Sequence, residues 1–216
     1  MNSSTPSPRT IVFDLDGTLS DPADGIGRSF DFALTAFGYP PLPAGALSRY
    51  IGPPLDRSFR IITGAQDEAL VARLVAKYRE RYAQVGYAEN TMYPGIPEAL
   101  EALAQRGHRL GVCTSKRVDF AEQILELFGI RARFEFVSGG ETGVAKDHQL
   151  AQLLRRGAID ARALMIGDRA FDIDAARANG LDSAGVLWGH GSREELVTAG
   201  AGRLLERVEE LRMLAG

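Results

Sequence analysis

The chain has 216 residues and a formal net charge of −3, with 45% apolar and 25% charged residues. That length suits one domain, or one domain that carries a smaller inserted one. The charge gives no electrostatic reason to expect binding to nucleic acid or to an anionic membrane, and no apolar run approaches the ~20 residues of a membrane span.

The N-terminal residues 1–10 are rich in Ser, Pro and Thr and lack the apolar segment of a signal peptide. We expect them to be a short, poorly ordered lead-in. The single cysteine, Cys113, excludes an internal disulfide and is typical of a reducing compartment. The expected location is therefore cytoplasmic, and Cys113 is expected to be buried in a strand as a small apolar residue.

The first predicted strand, residues 11–13, runs directly into Asp14-Leu15-Asp16-Gly17-Thr18. Because side chains alternate along an extended chain, Asp14 and Asp16 are expected on the same side. Two adjacent carboxylates repel each other and lose hydration, and a cation between them relieves both costs. A surface turn that closes the strand is the alternative interpretation, because Asp and Gly are common turn residues.

Residues 20–88 show helical apolar spacing and no confident strand. One predicted helix includes Ile26 and stops at Gly38, a second follows the break at residues 51–54, and a third is capped by Asp67. We predict a bundle of about four helices, inserted between the first strand and the rest of the chain.

From about residue 90 onward, predicted strands and helices alternate. The predicted strands are 110–114, 134–138, 163–167 and 183–187, and a last helix covers 203–213. Such alternation is typical of a parallel sheet with helices on both faces, so the predicted fold class is α/β with a doubly wound, Rossmann-like sheet. The predicted core comprises residues 1–19 and 89–216, and the inserted helical domain comprises residues 20–88.

Residues that can do chemistry follow the carboxyl ends of four predicted strands. They are Asp14 and Asp16, then Thr114 and Ser115, then Lys146 after the Gly-rich loop 138–143, and finally Asp168 and Asp172. In a parallel sheet these residues converge on one rim. Metal-assisted phosphoryl transfer needs carboxylates that hold Mg²⁺ and a carboxylate that acts as the nucleophile. It also needs a hydroxyl and an ammonium that bind the phosphate oxygens. Each residue alone also fits an ordinary structural role, but their order at successive strand ends favours this chemistry.

These residues resemble the four motifs of the haloacid dehalogenase-like hydrolase superfamily, over nearly the whole chain. The matching stretches are Asp14-Leu-Asp-Gly-Thr-Leu19, Thr114-Ser115, Lys146 and Gly167-Asp-Arg-Ala-Phe-Asp172. Residues 20–88 resemble the α-helical cap of that superfamily's first type. Further stretches resemble the phosphoglycolate phosphatase-like branch, of which some members are labelled 5′-nucleotidase-like: residues 51–55, 114–116, 124–129 and 189–196.

The resemblance implies a catalytic role for each matched residue. Asp14 would be the nucleophile and would form a phospho-aspartate. Asp16 would protonate the leaving group and then deprotonate the attacking water. Thr114 and Lys146 would hold the phosphoryl group, together with backbone amides near Asp16 and Ser115.

The resemblance also implies a Mg²⁺ cofactor. Asp14, the backbone carbonyl of Asp16, and Asp168 would bind the ion. Asp172 would support the ion without contacting it directly, or would contact it through a water molecule. It would also orient Lys146.

One position departs from the family pattern. The residue after the motif-three lysine is often proline in relatives, whereas it is Asp147 here. Lys116 is therefore a candidate substitute for Lys146, or a second contact for the anion. Arg49, with Arg57 and Arg60, flanks the Gly-Pro-Pro break and is a candidate to bind a carboxylate or a second phosphate of the substrate. The alternative is that these arginines form an exposed basic face of the helical segment.

The predicted function is a Mg²⁺-dependent phosphatase that acts on a small-molecule phosphomonoester and is phosphoglycolate phosphatase-like. The alternatives are 5′-nucleotidase-like activity on nucleoside monophosphates and a sugar-phosphate mutase. Asp16 argues against a haloacid dehalogenase, which has no use for a general acid at that position.

A phospho-accepting signalling module is the alternative from another class, but it carries no inserted helical domain and rarely exceeds about 130 residues. A silent binding protein is expected to lack one of Asp14, Asp16, Lys146 and Asp168, and all are present. The expected ligand is a small phosphate ester, and no nucleic acid or membrane partner is expected. The protein is expected to be a monomer or a homodimer. Its cap is expected to select the substrate by closing over the rim.

Overall fold

The computed structural model of the chain describes residues 8–140 and 145–215. The predicted lead-in up to residue 7, and residues 141–143 of the predicted Gly-rich loop, lie outside these ranges. The chain divides into two compact units, one formed by Met1–Ser20 and Met92–Gly216 and the other by Asp21–Thr91. No helix in the described ranges is long and apolar enough to cross a membrane.

The strands are β1 (Thr10–Phe13), β2 (Ser20–Asp21), β3 (Thr91–Met92), β4 (Arg109–Cys113), β5 (Phe136–Ser138), β6 (Leu164–Gly167), β7 (Asp182–Val186) and β8 (Arg203–Leu205). The α-helices are α1 (Ala23–Ala36), α2 (Leu55–Thr63), α3 (Glu68–Arg81), α4 (Ile96–Gln105), α5 (Val118–Leu127), α6 (Lys146–Arg155), α7 (Ala170–Ala178) and α8 (Arg193–Ala199). Short 3₁₀ helices cover Leu47–Tyr50, Arg131–Arg133 and Val208–Ala215, and a π-helical turn covers Tyr82–Gly86.

The first unit contains a six-stranded sheet in the order β5-β4-β1-β6-β7-β8, in which every pair of neighbours is parallel. The apolar strand β1 is buried throughout and pairs with β4 on one side and β6 on the other. Successive strands are added first on the β4 side and then on the β6 side, so the strand order switches beside β1. The carboxyl end of β1 therefore lies where doubly wound sheets bind ligands. The predicted fold class is confirmed.

Apolar side chains of the sheet pack against α6 and α7. Val12 of β1 and Met165 of β6 share a buried cluster with Leu150 of α6 and Ala176 of α7. Cys113 belongs to the same cluster and is a free thiol. Burial raises the pKa of this thiol to about 12, which keeps it protonated and inert. The prediction that Cys113 is a buried apolar residue is confirmed.

The prediction of one helix over residues 203–213 is wrong. Arg203–Leu205 form the edge strand β8, which pairs with β7, and a 3₁₀ helix follows at Val208–Ala215. The apolar residues of this segment fit either a helix or a strand. Residues 203–205 form a strand because the open edge of β7 supplies backbone hydrogen-bond partners for an extended chain. Helix α8 is an element that the sequence pattern did not predict, and its N-cap Ser192 accepts a hydrogen bond from the Glu195 amide.

The second unit consists of α1, α2 and α3 with the 3₁₀ and π-helical turns. Its centre is aromatic, with the Phe30 ring 5.0 Å from the rings of both Phe59 and Tyr78. As predicted, Asp67 caps α3, accepting a hydrogen bond from the Ala69 amide at 2.9 Å. Tilted and edge-to-face aromatic packing of this kind stabilises small helical units beyond the area that it buries.

Glu89 ties the end of the second unit to its first and third helices. Its carboxylate accepts two hydrogen bonds from Arg81, at 2.7 and 2.9 Å, and one from Arg28 at 2.8 Å. Its backbone oxygen accepts a hydrogen bond from the Gly25 amide. The hydrogen bonds from Arg81, followed by those from Arg28, lower the pKa of Glu89, although partial burial opposes the shift.

We expect Glu89→Gln to lower the free energy of unfolding at neutral pH by about 1 kcal/mol, because a bidentate arginine contact is lost and the remaining 23% exposure of Glu89 allows solvent screening. A lowered carboxyl pKa stabilises the fold above the unfolded-state pKa, and that contribution is lost as the pH falls below about 4.3. Urea denaturation at neutral and acidic pH measures the difference.

Glu80→Gln is the matched control, since Glu80 is exposed and pairs with Lys77 along α3. It is expected to change stability by less than about 0.5 kcal/mol. Equal losses in both variants, or a Glu89→Gln loss that persists at acidic pH, would contradict this account of Glu89.

Candidate active site

The carboxyl ends of β1, β4 and β6 bring the predicted site residues together. Asp14 follows β1, Thr114 follows β4 and Asp168 follows β6. Lys146 is the first residue of α6, and Asp172 lies in the first turn of α7. All five of these side chains are buried.

Three carboxylates form the centre of this group. Asp14, Asp168 and Asp172 each offer an oxygen atom, and these atoms all lie within 4.8 Å of one another. Parallel pairing of β1 with β6 creates this arrangement, and the Asp14 amide itself continues the ladder by donating to the Ile166 carbonyl at 2.8 Å. Three negative charges at this spacing repel one another strongly unless cations lie among them.

Lys146 supplies one of the necessary positive charges. Its Nζ lies 3.0 Å from Asp14 Oδ1 in an ion pair and donates a hydrogen bond to Asp172 Oδ1. Burial alone lowers the pKa of Lys146, but the carboxylates of Asp14 and Asp172 outweigh it and raise the pKa above its usual value. Lys146 is therefore a charged ammonium in the site.

Asp172 has a partner for each of its oxygens. Oδ1 accepts from Lys146, and Oδ2 accepts from the Arg169 amide at 3.1 Å. This arrangement fixes the Lys146 ammonium beside Asp14. Burial raises the pKa of Asp172, although the adjacent Lys146 ammonium opposes the rise.

Asp168 retains an oxygen for a further ligand. Its Oδ2 accepts from the His190 amide at 2.8 Å, whereas its buried Oδ1 has no hydrogen-bond partner in residues 8–140 and 145–215. Burial, followed by repulsion from Asp172 and Asp14, raises the pKa of Asp168 well above its ordinary value. One lysine does not neutralise three carboxylates, and oxygen ligands suit a hard divalent cation. The residues present therefore fit Mg²⁺.

Asp16 is paired with a different lysine. Its Oδ2 lies 2.9 Å from Nζ of Lys116, and both side chains are largely buried. Burial raises the pKa of Asp16 above its ordinary value, although the Lys116 ammonium opposes the rise. The two aspartates after β1 thus face separate cations.

The turn after β4 carries Thr114, Ser115 and Lys116. The buried Thr114 hydroxyl oxygen accepts a hydrogen bond from the Lys116 amide at 3.2 Å, and Ser115 is exposed. Gly140 makes the packing of this turn possible, because a Cβ at that position would lie 2.4 Å from the Ser115 carbonyl oxygen. The hydroxyl of Thr114 is therefore held at the rim beside the exposed Ser115.

Gly17 gives the loop after Asp16 a conformation that other residues rarely adopt. Its φ is +83°, and a Cβ added there would lie 2.2 Å from Asp168 Oδ2. Both observations require glycine at this position. The loop can therefore approach the Asp168 carboxylate closely.

Sequence reasoning did not assign a role to the loop after β7. The Trp188 indole donates to the Thr18 carbonyl at 3.0 Å, and the His190 amide donates to Asp168. Glu195 of α8 accepts hydrogen bonds from the Arg169 side chain and the Ala170 amide, which holds the start of α7. The resemblance of residues 189–196 to a family stretch was the available signal, but it gave no geometry.

The three predicted cap arginines lie in the second unit. Arg49, in the 3₁₀ helix Leu47–Tyr50, and Arg57, in α2, are exposed. Arg60 pairs with Glu68 at 2.5 Å. The proposed contact of Arg49 with a substrate anion remains a prediction.

The fold and the carboxylate cluster define a class of phosphoryl-transfer enzyme. The sequence pattern of haloacid dehalogenase-like hydrolases matches residues 11–186. The chain belongs to the haloacid dehalogenase-like hydrolase family.

Three relatives are similar to most of the chain. A 5′-nucleotidase from Pseudomonas aeruginosa is 42% identical over 86% of this chain and 86% of its own. A tyrosine-protein kinase, PtkA from Mycobacterium tuberculosis, is 40% identical over 86% of this chain, which covers 64% of the kinase. A phosphoglycolate phosphatase from Aquifex aeolicus is 31% identical over 84% of this chain and 86% of its own.

The fold is shared with solved structures. A predicted phosphatase from Clostridium acetobutylicum superposes with a TM-score of 0.89 at 35% identity, covering 97% of this chain and 98% of the other. The resemblance to the phosphoglycolate phosphatase-like branch is confirmed. The chain is an enzyme of this family, a phosphatase.

Proposed function

We propose that the protein is a Mg²⁺-dependent phosphatase that hydrolyses a small-molecule phosphomonoester through a phospho-aspartate on Asp14. The observation that carries the proposal is the cluster of three buried carboxylates at the carboxyl end of β1, of which Asp14 and Asp172 contact the Lys146 ammonium. The negative charge of these carboxylates would repel an anionic substrate. Binding of a phosphate ester therefore requires positive charge beyond that of the described residues, which a divalent cation would supply. Asp14, the Asp16 carbonyl oxygen and Asp168 would hold Mg²⁺, with Asp172 supporting them.

In the first step, an Asp14 carboxylate oxygen attacks the phosphorus and the bond to the ester oxygen breaks. The ester oxygen receives a proton from Asp16 as it leaves. Lys146 and the Thr114 hydroxyl bind the non-bridging phosphoryl oxygens, with backbone amides near Ser115. A bound divalent cation supplies neutralisation of the charge that the phosphate and the carboxylates share.

In the second step, water attacks the phosphorus and the bond to Asp14 breaks. Asp16, deprotonated by the first step, accepts the proton of that water and is ready for the next cycle. Two aspartates with separate cationic partners suit this division of labour, because one must attack as an anion while the other exchanges a proton. Asp14 lies beside Lys146, and Asp16 lies beside Lys116.

A second candidate function is hydrolysis of nucleoside 5′-monophosphates, which the 42% identity to a 5′-nucleotidase favours. Substrate selection in either case is assigned to residues 21–91, with Arg49 as a candidate anion contact. The phosphoglycolate phosphatase relative favours a small acid phosphate instead.

The test is a phosphate-release screen over phosphoglycolate, nucleoside monophosphates, sugar phosphates and phosphotyrosine, each with Mg²⁺ and with excess EDTA. We expect release from at least one small phosphate ester, its loss in EDTA, and its recovery when Mg²⁺ is returned in excess. Activity that persists in EDTA would contradict the metal assignment. Transfer from labelled ATP to tyrosine without phosphate release would instead favour the activity named for the mycobacterial relative.

A further inference from the structure

The chain has three lysines, and two of them lie at the site with different carboxylates. Lys146 faces Asp14 and Asp172, whereas Lys116 faces Asp16. The Lys116 and Asp16 side chains are only 7% and 14% exposed, so their contact is shielded from water. An ion pair with this degree of burial holds its geometry more firmly than an exposed pair.

The two oxygens of Asp16 differ in their surroundings. Oδ2 lies 2.9 Å from Lys116 Nζ. Oδ1 is buried and has no hydrogen-bond partner within the parts of the chain that the structure describes. One oxygen is therefore anchored, and the other is available for proton exchange.

The backbone of Lys116 is itself held on both sides. Its amide donates to the Thr114 hydroxyl oxygen at 3.2 Å, and its carbonyl accepts from the Gly140 amide at 2.7 Å. The close approach of Gly140 to Ser115 leaves no room for the turn to shift towards it. The backbone of Lys116 is therefore held by hydrogen bonds within the turn, and the side chain extends from that turn to Asp16.

We propose that Lys116 is a positioning residue that anchors Oδ2 of Asp16, and that Oδ1 of Asp16 carries the proton exchanged with the leaving group and with water. This inference rests on the proposed role of Asp16 as general acid and base. In the first step the Oδ1 proton moves to the ester oxygen as its bond to phosphorus breaks. In the second step a water proton moves to Oδ1 as the water oxygen bonds to phosphorus and Asp14 is released.

A positioning role and an anion-binding role for Lys116 give different kinetic results. Loss of an anion contact weakens binding of every phosphate ester, because the phosphoryl group is common to them all. Loss of Asp16 positioning slows only those steps that need a proton. A p-nitrophenyl ester needs little help at the leaving oxygen, whereas an alkyl ester needs a proton there.

The experiment compares wild type with Lys116→Met, Lys116→Gln and Lys116→Arg in single turnovers with Mg²⁺. The substrates are p-nitrophenyl phosphate and the alkyl phosphate that the wild type hydrolyses best in the screen above. We expect Lys116→Met and Lys116→Gln to slow the alkyl ester about 10–100-fold, part of the usual contribution of a general acid. The p-nitrophenolate release in the first turnover should stay near the wild-type rate, and Lys116→Arg should recover most of the alkyl rate.

Lys77→Met is the matched control, because Lys77 is in the second unit and pairs with Glu80. Thermal unfolding, followed by the fluorescence of Trp188, the single tryptophan, checks that each variant is folded. Equal slowing of both esters, or a raised KM for both at an unchanged single-turnover rate, would overturn the positioning role. An Asp16→Asn variant with wild-type alkyl turnover would instead overturn the proposed function on which it rests, so the two failures are distinguishable.

Discussion

Replacement of Asp14 by asparagine is expected to lower kcat by at least about 10³-fold, as removal of a covalent nucleophile does in other enzymes. The amide is a poor nucleophile towards phosphorus, and it also removes one of three carboxylates that fit a cation. Asparagine has nearly the same shape, and the loss of one charge relieves repulsion in the cluster. The fold is therefore expected to remain intact. Phosphate release and circular dichroism measure the two effects.

Asp174→Asn is the matched control for that experiment. Asp174 lies on α7 close to the site residues in sequence, but its carboxylate is exposed and pairs with Arg177. We expect wild-type activity from this variant. Phosphate release by Asp14→Asn at a rate near the wild type would refute Asp14 as the nucleophile. Transfer of labelled phosphate to the wild type but not to Asp14→Asn would support the covalent step.

Replacement of Lys146 by methionine is expected to lower the free energy of unfolding by about 3–5 kcal/mol in the absence of metal, because it leaves buried carboxylates without their ammonium. Methionine preserves most of the side-chain length and volume, so the loss reports charge more than packing. Activity should fall as well, since Lys146 contacts Asp14 and, in the proposed mechanism, binds the phosphoryl group. Urea denaturation and phosphate release measure these effects.

The stability of the Lys146→Met variant should rise as the pH falls below neutral. Burial already raises the pKa of Asp168 and Asp172, so the folded state binds protons at a pH where the unfolded state does not. A group with a raised carboxyl pKa therefore adds stability as the pH falls towards its unfolded-state value. Lys77→Met, which removes a partly exposed lysine that pairs with Glu80, should show neither the large loss nor this pH dependence. A loss of less than about 1 kcal/mol for Lys146→Met, the range of exposed ion pairs, would contradict the account of Lys146.

Local patterns predicted most of the fold because the strands near the centre of the sheet are apolar throughout. The run before Asp14 and the run before Asp168 are short and apolar and are followed by turn residues, which favours buried strands. The edge strand β8 was missed, since its few residues pair on one side only and their apolar side chains also fit a helix. Edge strands take their structure from the neighbour that pairs with them, and local sequence carries little of that information.

Residue type and order indicated which side chains meet at the rim, but they did not specify the pairs. The sequence presented Lys116 as a candidate substitute for Lys146, or as a second contact for the anion. The structure gives them different partners, with Lys146 beside Asp14 and Lys116 beside Asp16. The hydrogen bond from the His190 backbone amide to Asp168 also could not be predicted, because almost any residue type can donate it from its main chain.

The amino-acid sequence by itself determined the α/β class and the family, because apolar periodicity and motif residues are local properties. Only the tertiary structure decided which lysine ammonium contacts which aspartate. It also decided which carboxylate oxygens lack a hydrogen-bond partner among the described residues and can bind a ligand. Those contacts join residues that are distant along the chain, and strand order, loop packing and burial bring them together. The two aspartates after β1 are alike in sequence, and their surroundings in the folded chain are what make them different.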